Sequence, residues 1–185
     1  MAFKPHVRYL RLVYAKYSEL NPEGGRNQFG LAEWTQLIKD CRLLSEDLTT
    51  REMRLAFWRC RMVVIDEVRK RREFMTLSWT EFLEALARMA LMMTLPSQED
   101  LDELGAENVL AYDRALAKSN SEMHEKIAKR QAEMSSLPLR IDMLCRLLLG
   151  RLALLLHGIL SAGPKRLSLI KGGYATEDQL RETGL

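Results

Sequence analysis

Two six-residue stretches, FGLAEW at 29–34 and LSWTEF at 77–82, constrain this chain more than anything else in it. Each places a large apolar residue (Phe29, Leu77) four positions before a glutamate (Glu33, Glu81), and an aromatic (Trp34, Phe82) directly after it. The two glutamates lie 48 residues apart. Around each stretch the apolar residues keep helical spacing. Val7, Leu10, Val13, Tyr14, Tyr17 and Leu20 predict a helix over 6–20, which the proline and paired glycines of NPEGGRN end. Leu31, Trp34, Leu37, Ile38 and Cys41 predict a second amphipathic helix. Thr49 and Glu52 form a capping box that opens a third, striped by Met53, Ala56, Phe57, Cys60 and Val64. After the charged break VRKRRE, Ser78 and Glu81 form another box. It starts a helix with Phe82, Leu86, Met89, Ala90 and Met93 on one face. A helix–break–helix unit therefore occurs twice by residue 94.

Beyond residue 95 the pattern changes. LPSQEDLDELG is a break, and 105–135 is rich in Ala, Glu, Lys and Arg with few large apolar residues, as in an exposed or bridging helix. SSLPL interrupts it, and a leucine-dense helix is predicted over 139–160. On a helical wheel its polar interruptions fall into two groups, Arg140 with Arg151, and Asp142 with Arg146 and His157. Leucine occupies more than one remaining face, so this helix needs cover on two sides: it either closes the protein's own fold or buries itself in a partner, and the two-sided pattern leans toward partial burial against other chains. Its richest run, LCRLLLGRLALLLHGIL at 144–160, is broken by Arg146, Arg151 and His157 and fails as a membrane span. The last stretch, 163–185, reads as an irregular polar tail.

Composition narrows the class. Hydrophobic residues make up 47% and charged residues 29%, which is ordinary for a globular chain, and few glycines and prolines favour helix. A net charge of +3 is too balanced to indicate a nucleic-acid binder. Three widely spaced cysteines (Cys41, Cys60, Cys145) and no CxxC fit a reducing compartment and offer no zinc or disulfide framework. With no signal peptide in MAFKPHVRYLRLVYAKY, a soluble, cytoplasmic protein is expected. Motifs for metalloprotease, P-loop, dinucleotide or serine-hydrolase chemistry are absent, so no enzyme and no cofactor is expected.

The segments EWTQLIKDCRL, TTREMRLAF and FMTLSWTEFLEALARMA resemble the EF-hand-like p25-alpha (tubulin polymerisation-promoting) family and related domains of axonemal proteins. In an EF-hand the residue at loop position 8 pairs with its sister loop in a short β-bridge, and position 12 is a bidentate glutamate. On that frame, positions 1, 3 and 5 before Glu81 are Lys70, Arg72 and Phe74, with Met75 where glycine belongs. Before Glu33 they are Pro22, Gly24 and Arg26, with Asn27 at the glycine position. Calcium takes six to eight oxygens, several of them anionic, so both loops read as dead and no metal is expected. The fold class implied is all-α. A calcium-independent EF-hand-like pair over 6–94 is followed by a helical extension over 95–162 and the tail.

The resemblance implies a non-enzymatic protein-binding or structural module of the cytoskeleton, with tubulin or axonemal proteins of a cilium or flagellum as partners. Such modules take a helix in a groove. Residues expected to face a partner are Trp58 and Trp79, which lie off the apolar stripes, the basic run Arg69, Lys70, Arg71 and Arg72, and Leu148, Leu152 and Leu155 of the leucine-dense helix. Trp34, Phe57 and Phe82 read as core. Two alternatives stay open on these residues. One is a calmodulin-like regulator binding calcium at a nonstandard loop through Glu23 or Asn21. The other is a nucleic-acid-associated protein using the basic run.

Overall fold

The capping boxes and apolar stripes become helices that meet at one small sheet. A computed structural model describes residues 2–19, 29–45, 48–61, 68–116 and 136–161. In chain order the elements are α1 (Val7–Ser18), β1 (Phe29–Gly30), α2 (Leu31–Asp40), α3 (Thr50–Arg59), α4 (Arg71–Met75), β2 (Thr76–Leu77), α5 (Trp79–Met92), α6 (Gln98–Glu103), α7 (Val109–Leu116) and α8 (Leu137–Ser161). The protein is mostly helical, with a single two-stranded sheet among the described residues. No described helix is long and apolar enough to cross a membrane.

The strands pair antiparallel, with Phe29 opposite Leu77 and Gly30 opposite Thr76. Two residues per strand cannot hold a ladder by themselves. What holds this one is an aromatic cluster beneath it. Tyr14 from α1 stacks on Phe29 at 5.2 Å between ring centres, Phe82 lies 5.1 Å from Phe29, and Trp34 meets Phe82 edge-on at 6.1 Å. Each such pair adds about 0.5–1.5 kcal/mol beyond the area it buries. The Tyr14 hydroxyl donates to the Leu77 carbonyl at 2.6 Å, tying α1 directly to β2. Around the cluster Leu10, Leu37, Ile38, Met53, Phe57, Leu86 and Met89 are buried, and the Trp34 indole donates to the Met53 carbonyl at 3.1 Å. Trp34, Phe57 and Phe82 are core.

Several boundaries differ from the spacing-based expectation. The third helix ends at Arg59, and Val64 lies outside the described residues. A short helix, α4, forms inside the charged break. Another, α6, forms in LPSQEDLDELG because Ser97 and Asp100 make a third capping box: the Ser97 amide donates to Asp100 Oδ2 at 2.8 Å, and the Asp100 amide donates to Ser97 Oγ at 3.2 Å. Of the helix expected over 105–135, α7 is described as far as Leu116; residues 117–135 and the expected tail lie outside the described residues.

The leucine-dense helix departs most from expectation. It packs on the protein's own α5, α2 and α7. Leu148 is fully buried and Leu152 nearly so, while Leu155 is half-buried. Leu148 and Leu152 are thus core and not partner surface, because the face they share is already covered within the chain. The polar residues of α8 seat it. Arg140 donates to the carbonyls of Ala90, Leu91 and Met93 at 2.9, 3.2 and 2.8 Å, where the last turn of α5 leaves carbonyls without helical partners. Eleven residues on, Arg151 does the same at the end of α2, donating to the carbonyls of Cys41, at 3.0 Å, and Arg42. A cation is also favoured at a helix C-terminus by the helix dipole. On the other polar side Asp142 accepts from Arg146 at 2.8 Å and pairs with His6 at 2.7 Å, joining α8 to the turn before α1. Gly150 lets α7 approach: a Cβ there would lie 2.5 Å from a Leu110 methyl.

Helix α2 ends in a Schellman turn, with the Arg42 amide donating to Lys39 and the Leu43 amide to Ile38. Arg42 holds φ at +51°, in the left-handed region that costs an ordinary residue about 1–2 kcal/mol. The same turn after α6 uses Gly105, at φ +61°. Replacing Arg42 with glycine should therefore raise the urea midpoint, by about 1 kcal/mol of stability. Arg140→Ala should lower it by about 2 kcal/mol, because three carbonyls lose a charged donor.

Candidate functional site

Three places in the sequence invite chemistry: the two glutamates, the thiols, and the basic run with its tryptophan. The glutamates come first because the resemblance would make them ligands. Glu33 Oε2 instead accepts the Gly30 amide at 2.8 Å, and Glu81 Oε2 accepts the Ser78 amide at 2.7 Å. Each carboxylate folds back onto the start of its own helix, where it satisfies an orphan amide and complements the helix dipole. Both side chains are buried. At Gly30 the carboxylate sits close to the backbone: a Cβ there would stand 2.9 Å from Glu33 Oε2, which would have to shift to admit it. Among the described residues no group of three or more His, Cys, Asp or Glu side chains could hold a metal ion. The loop residues Pro22, Gly24, Arg26 and Asn27, and Asn21 and Glu23, lie outside the described residues.

The thiols are shielded. Cys41, Cys60 and Cys145 are all buried and unpaired with one another. Burial pushes Cys60 and Cys145 up to about 12, with the Glu81 carboxylate adding to the first and Asp142 to the second. Burial also pushes Cys41 far up, and Asp40 adds to it. A thiol that stays protonated is a poor nucleophile and a poor metal ligand. Tyr14 is raised as well, first by burial and then by Glu81, in keeping with a hydroxyl spent on the Leu77 carbonyl.

The remaining place is where α3 ends and α4 begins. Trp58, 39% exposed, lies edge-on to Phe57 at 5.4 Å and 6.5 Å from Phe74 of α4. The Arg61 guanidinium stands over both rings, 4.8 Å from the centre of Trp58 and 4.2 Å from that of Phe74. Cation–π contacts of this kind fix the two short helices against each other. Arg69, Lys70 and Arg71 lie exposed beside this cluster in sequence, Arg69 and Lys70 already engaged in interactions of their own. Arg72 lies on α4; its side chain is outside the described set. Of the site expected from sequence, the structure brings Trp58 against α4, the helix on which Arg71 and Arg72 lie.

The rest of that site is not brought together there. Trp79 is half-buried, stacked on Phe82 at 5.8 Å, edge-on to Tyr14 at 5.7 Å and covered by Arg11 at 5.1 Å. It extends the core cluster. Leu148 and Leu152 belong to the interior described above. Sequence reasoning missed Arg61, which lies just beyond the end of α3 and whose guanidinium stands over the Trp58 ring. It also left Arg140 and Arg151 as mere interruptions, although their common wheel position marked them as a pair.

No protein-family model, curated protein or solved structure matches this chain.

The thiols give a pH test with a definite sign. In the unfolded chain a thiol ionises near 9, whereas folded Cys60 and Cys145 hold their protons to about 12. Unfolded chains therefore bind fewer protons in that window, and stability should be at full value below pH 9 and fall as the pH climbs toward 12. Thermal midpoints measured across this range should decline, and the double variant Cys60→Ala, Cys145→Ala should show a shallower slope.

Proposed function

We propose that this chain is a metal-independent, EF-hand-like helix pair whose groove is filled by its own leucine-dense helix α8. It serves as a non-enzymatic, protein-binding or structural component of a larger assembly. The observation that carries this reading is the pairing of Phe29 with Leu77, each four residues before a glutamate that caps its own helix. Two helix–loop–helix units joined through a two-residue antiparallel bridge follow the EF-hand plan, in which the β-bridge couples the loops and the position-12 carboxylate closes on an ion. Here an amide takes the place of that ion. The closure is then independent of calcium, and the fold is available at all times.

Helix-in-groove binding is the usual work of such pairs. In this chain α8 lies across α2 and α5, anchored to the ends of both by Arg151 and Arg140. A target helix finds that face taken, so partners fall to the outer surfaces. The setting, a microtubule-based assembly in the cytoplasm such as an axoneme, rests on the resemblance of the segments 33–43, 49–57 and 74–90 to p25-alpha-like and axonemal proteins.

Co-sedimentation of the full-length chain with microtubules assembled from purified tubulin tests both halves of the proposal. The expected result is retention in the pellet with a calcium chelator present, and no change when calcium is restored. Thermal unfolding followed by circular dichroism should also be the same in both conditions. Pelleting only with calcium would replace this reading with that of a calcium-responsive regulator. No pelleting in either condition would remove the microtubule setting.

A further inference from the structure

Charge is spread unevenly along this chain. Residues 51–75 contain eight basic side chains against four acidic ones, a net +4, while the whole chain nets +3. Everything outside the stretch is slightly acidic on balance. Part of this basic stretch lies on α3 and α4, the two helices that meet at an apolar contact. Trp58 and Phe74 meet across the α3–α4 junction, with Arg61 packed over both rings, and Trp58 and Met75 are 39% and 40% exposed. Arg54 and Arg59 on α3 and Arg71 on α4 are exposed. Among the described residues these three arginines make no ion pair.

We propose that the face formed by Trp58, Phe74 and Met75, with Arg54, Arg59 and Arg71, docks an acidic, extended peptide segment of a partner protein. The charge excess names the sign of the ligand. Arginine forks receive carboxylates bidentately, and exposed tryptophan and arginine are the side chains most often responsible for binding energy at interfaces. Trp58 and Met75 supply an apolar seat for one side chain of the peptide. A single-stranded nucleic acid would need bare rings on which to stack its bases. Here Arg61 stands over the Trp58 and Phe74 rings and takes up ring face that a base would stack on, while Trp58 keeps exposed surface against which a peptide side chain can lie. The proposal names a partner class for the protein-binding role proposed above and rests on that role. Microtubule co-sedimentation reads the role, whereas peptide binding reads this face, so either can fail alone.

The experiment titrates the full-length chain into a fluorescein-labelled, glutamate-rich synthetic peptide carrying one phenylalanine, followed by anisotropy. A serine-rich peptide of equal length and a labelled oligothymidylate are run beside it. Saturable binding of the acidic peptide is expected, weakening steeply with salt because the pairs are at the surface. Arg54→Glu with Arg71→Glu should reduce affinity at least tenfold, and Trp58→Ala several-fold. The two arginines are exposed, so their reversal should leave the thermal midpoint unchanged and keep the test valid even if the Trp58 variant is unstable. Equal affinity of the charge-reversed variant, or no saturable binding of the acidic peptide, would overturn the proposal. Tighter binding of the oligothymidylate would overturn it in favour of nucleic acid. Self-association that the same reversal abolishes would assign the face to a second copy of the chain.

Discussion

The pairing of Phe29 with Leu77 is the constraint on which the remaining architecture depends. It joins residues 48 positions apart with only two residues on each side. Such a contact survives because everything around it converges: Tyr14 stacks on Phe29 and hydrogen-bonds Leu77, while Phe82 and Trp34 close the cluster from the helices that follow each strand. Once the pair is set, the directions of α2 and α5 are set, because each helix begins within two residues of its strand. Glu33 and Glu81 then lock those beginnings by accepting amides from Gly30 and Ser78. Nothing in this chain of contacts calls for an ion.

The far ends of the same two helices define the seat of α8. A helix end exposes carbonyls that need donors, and here the donors come from one helix laid across both ends. Arg140 and Arg151 are eleven residues apart, about 16 Å along a helix. They lie on nearly the same side of it, so one rigid rod reaches α5 and α2 together. This explains why a leucine-rich helix carries two arginines on a face that meets the core. Arg42 contributes by adopting a left-handed backbone, which turns its carbonyl and that of Cys41 toward Arg151.

Much of this was legible in the residues. The helices at 6–20 and 78–93, the boxes Thr49–Glu52 and Ser78–Glu81, and the core roles of Trp34, Phe57 and Phe82 follow from local spacing, and local spacing is what the backbone obeys at those places. Short elements were less legible: α4 sits in a run of like charges, and α6 in a stretch whose Ser97–Asp100 box uses aspartate in place of the usual glutamate. The destination of α8 was misread for a different reason. A helical wheel reports that two faces need cover but not whether the cover comes from the same chain. Only tertiary packing shows that α5, α2 and α7 supply it. Trp79 and Trp58 both lie off their stripes, yet one completes the core and the other faces outward, because Tyr14 and Arg11 of α1 cover the first alone.

The central claim is that α8 completes this fold from within, without metal and without a partner. Native-state hydrogen exchange of the full-length chain in a calcium chelator tests it most directly. The account predicts that amides in the buried half of α8, around Leu144 and Leu148, are protected to the same free energy as those in α2 and α5, opening together with them. Rapid exchange across α8 while α2 and α5 stay protected would contradict it, and would return the leucine-dense helix to the role of a segment awaiting another chain.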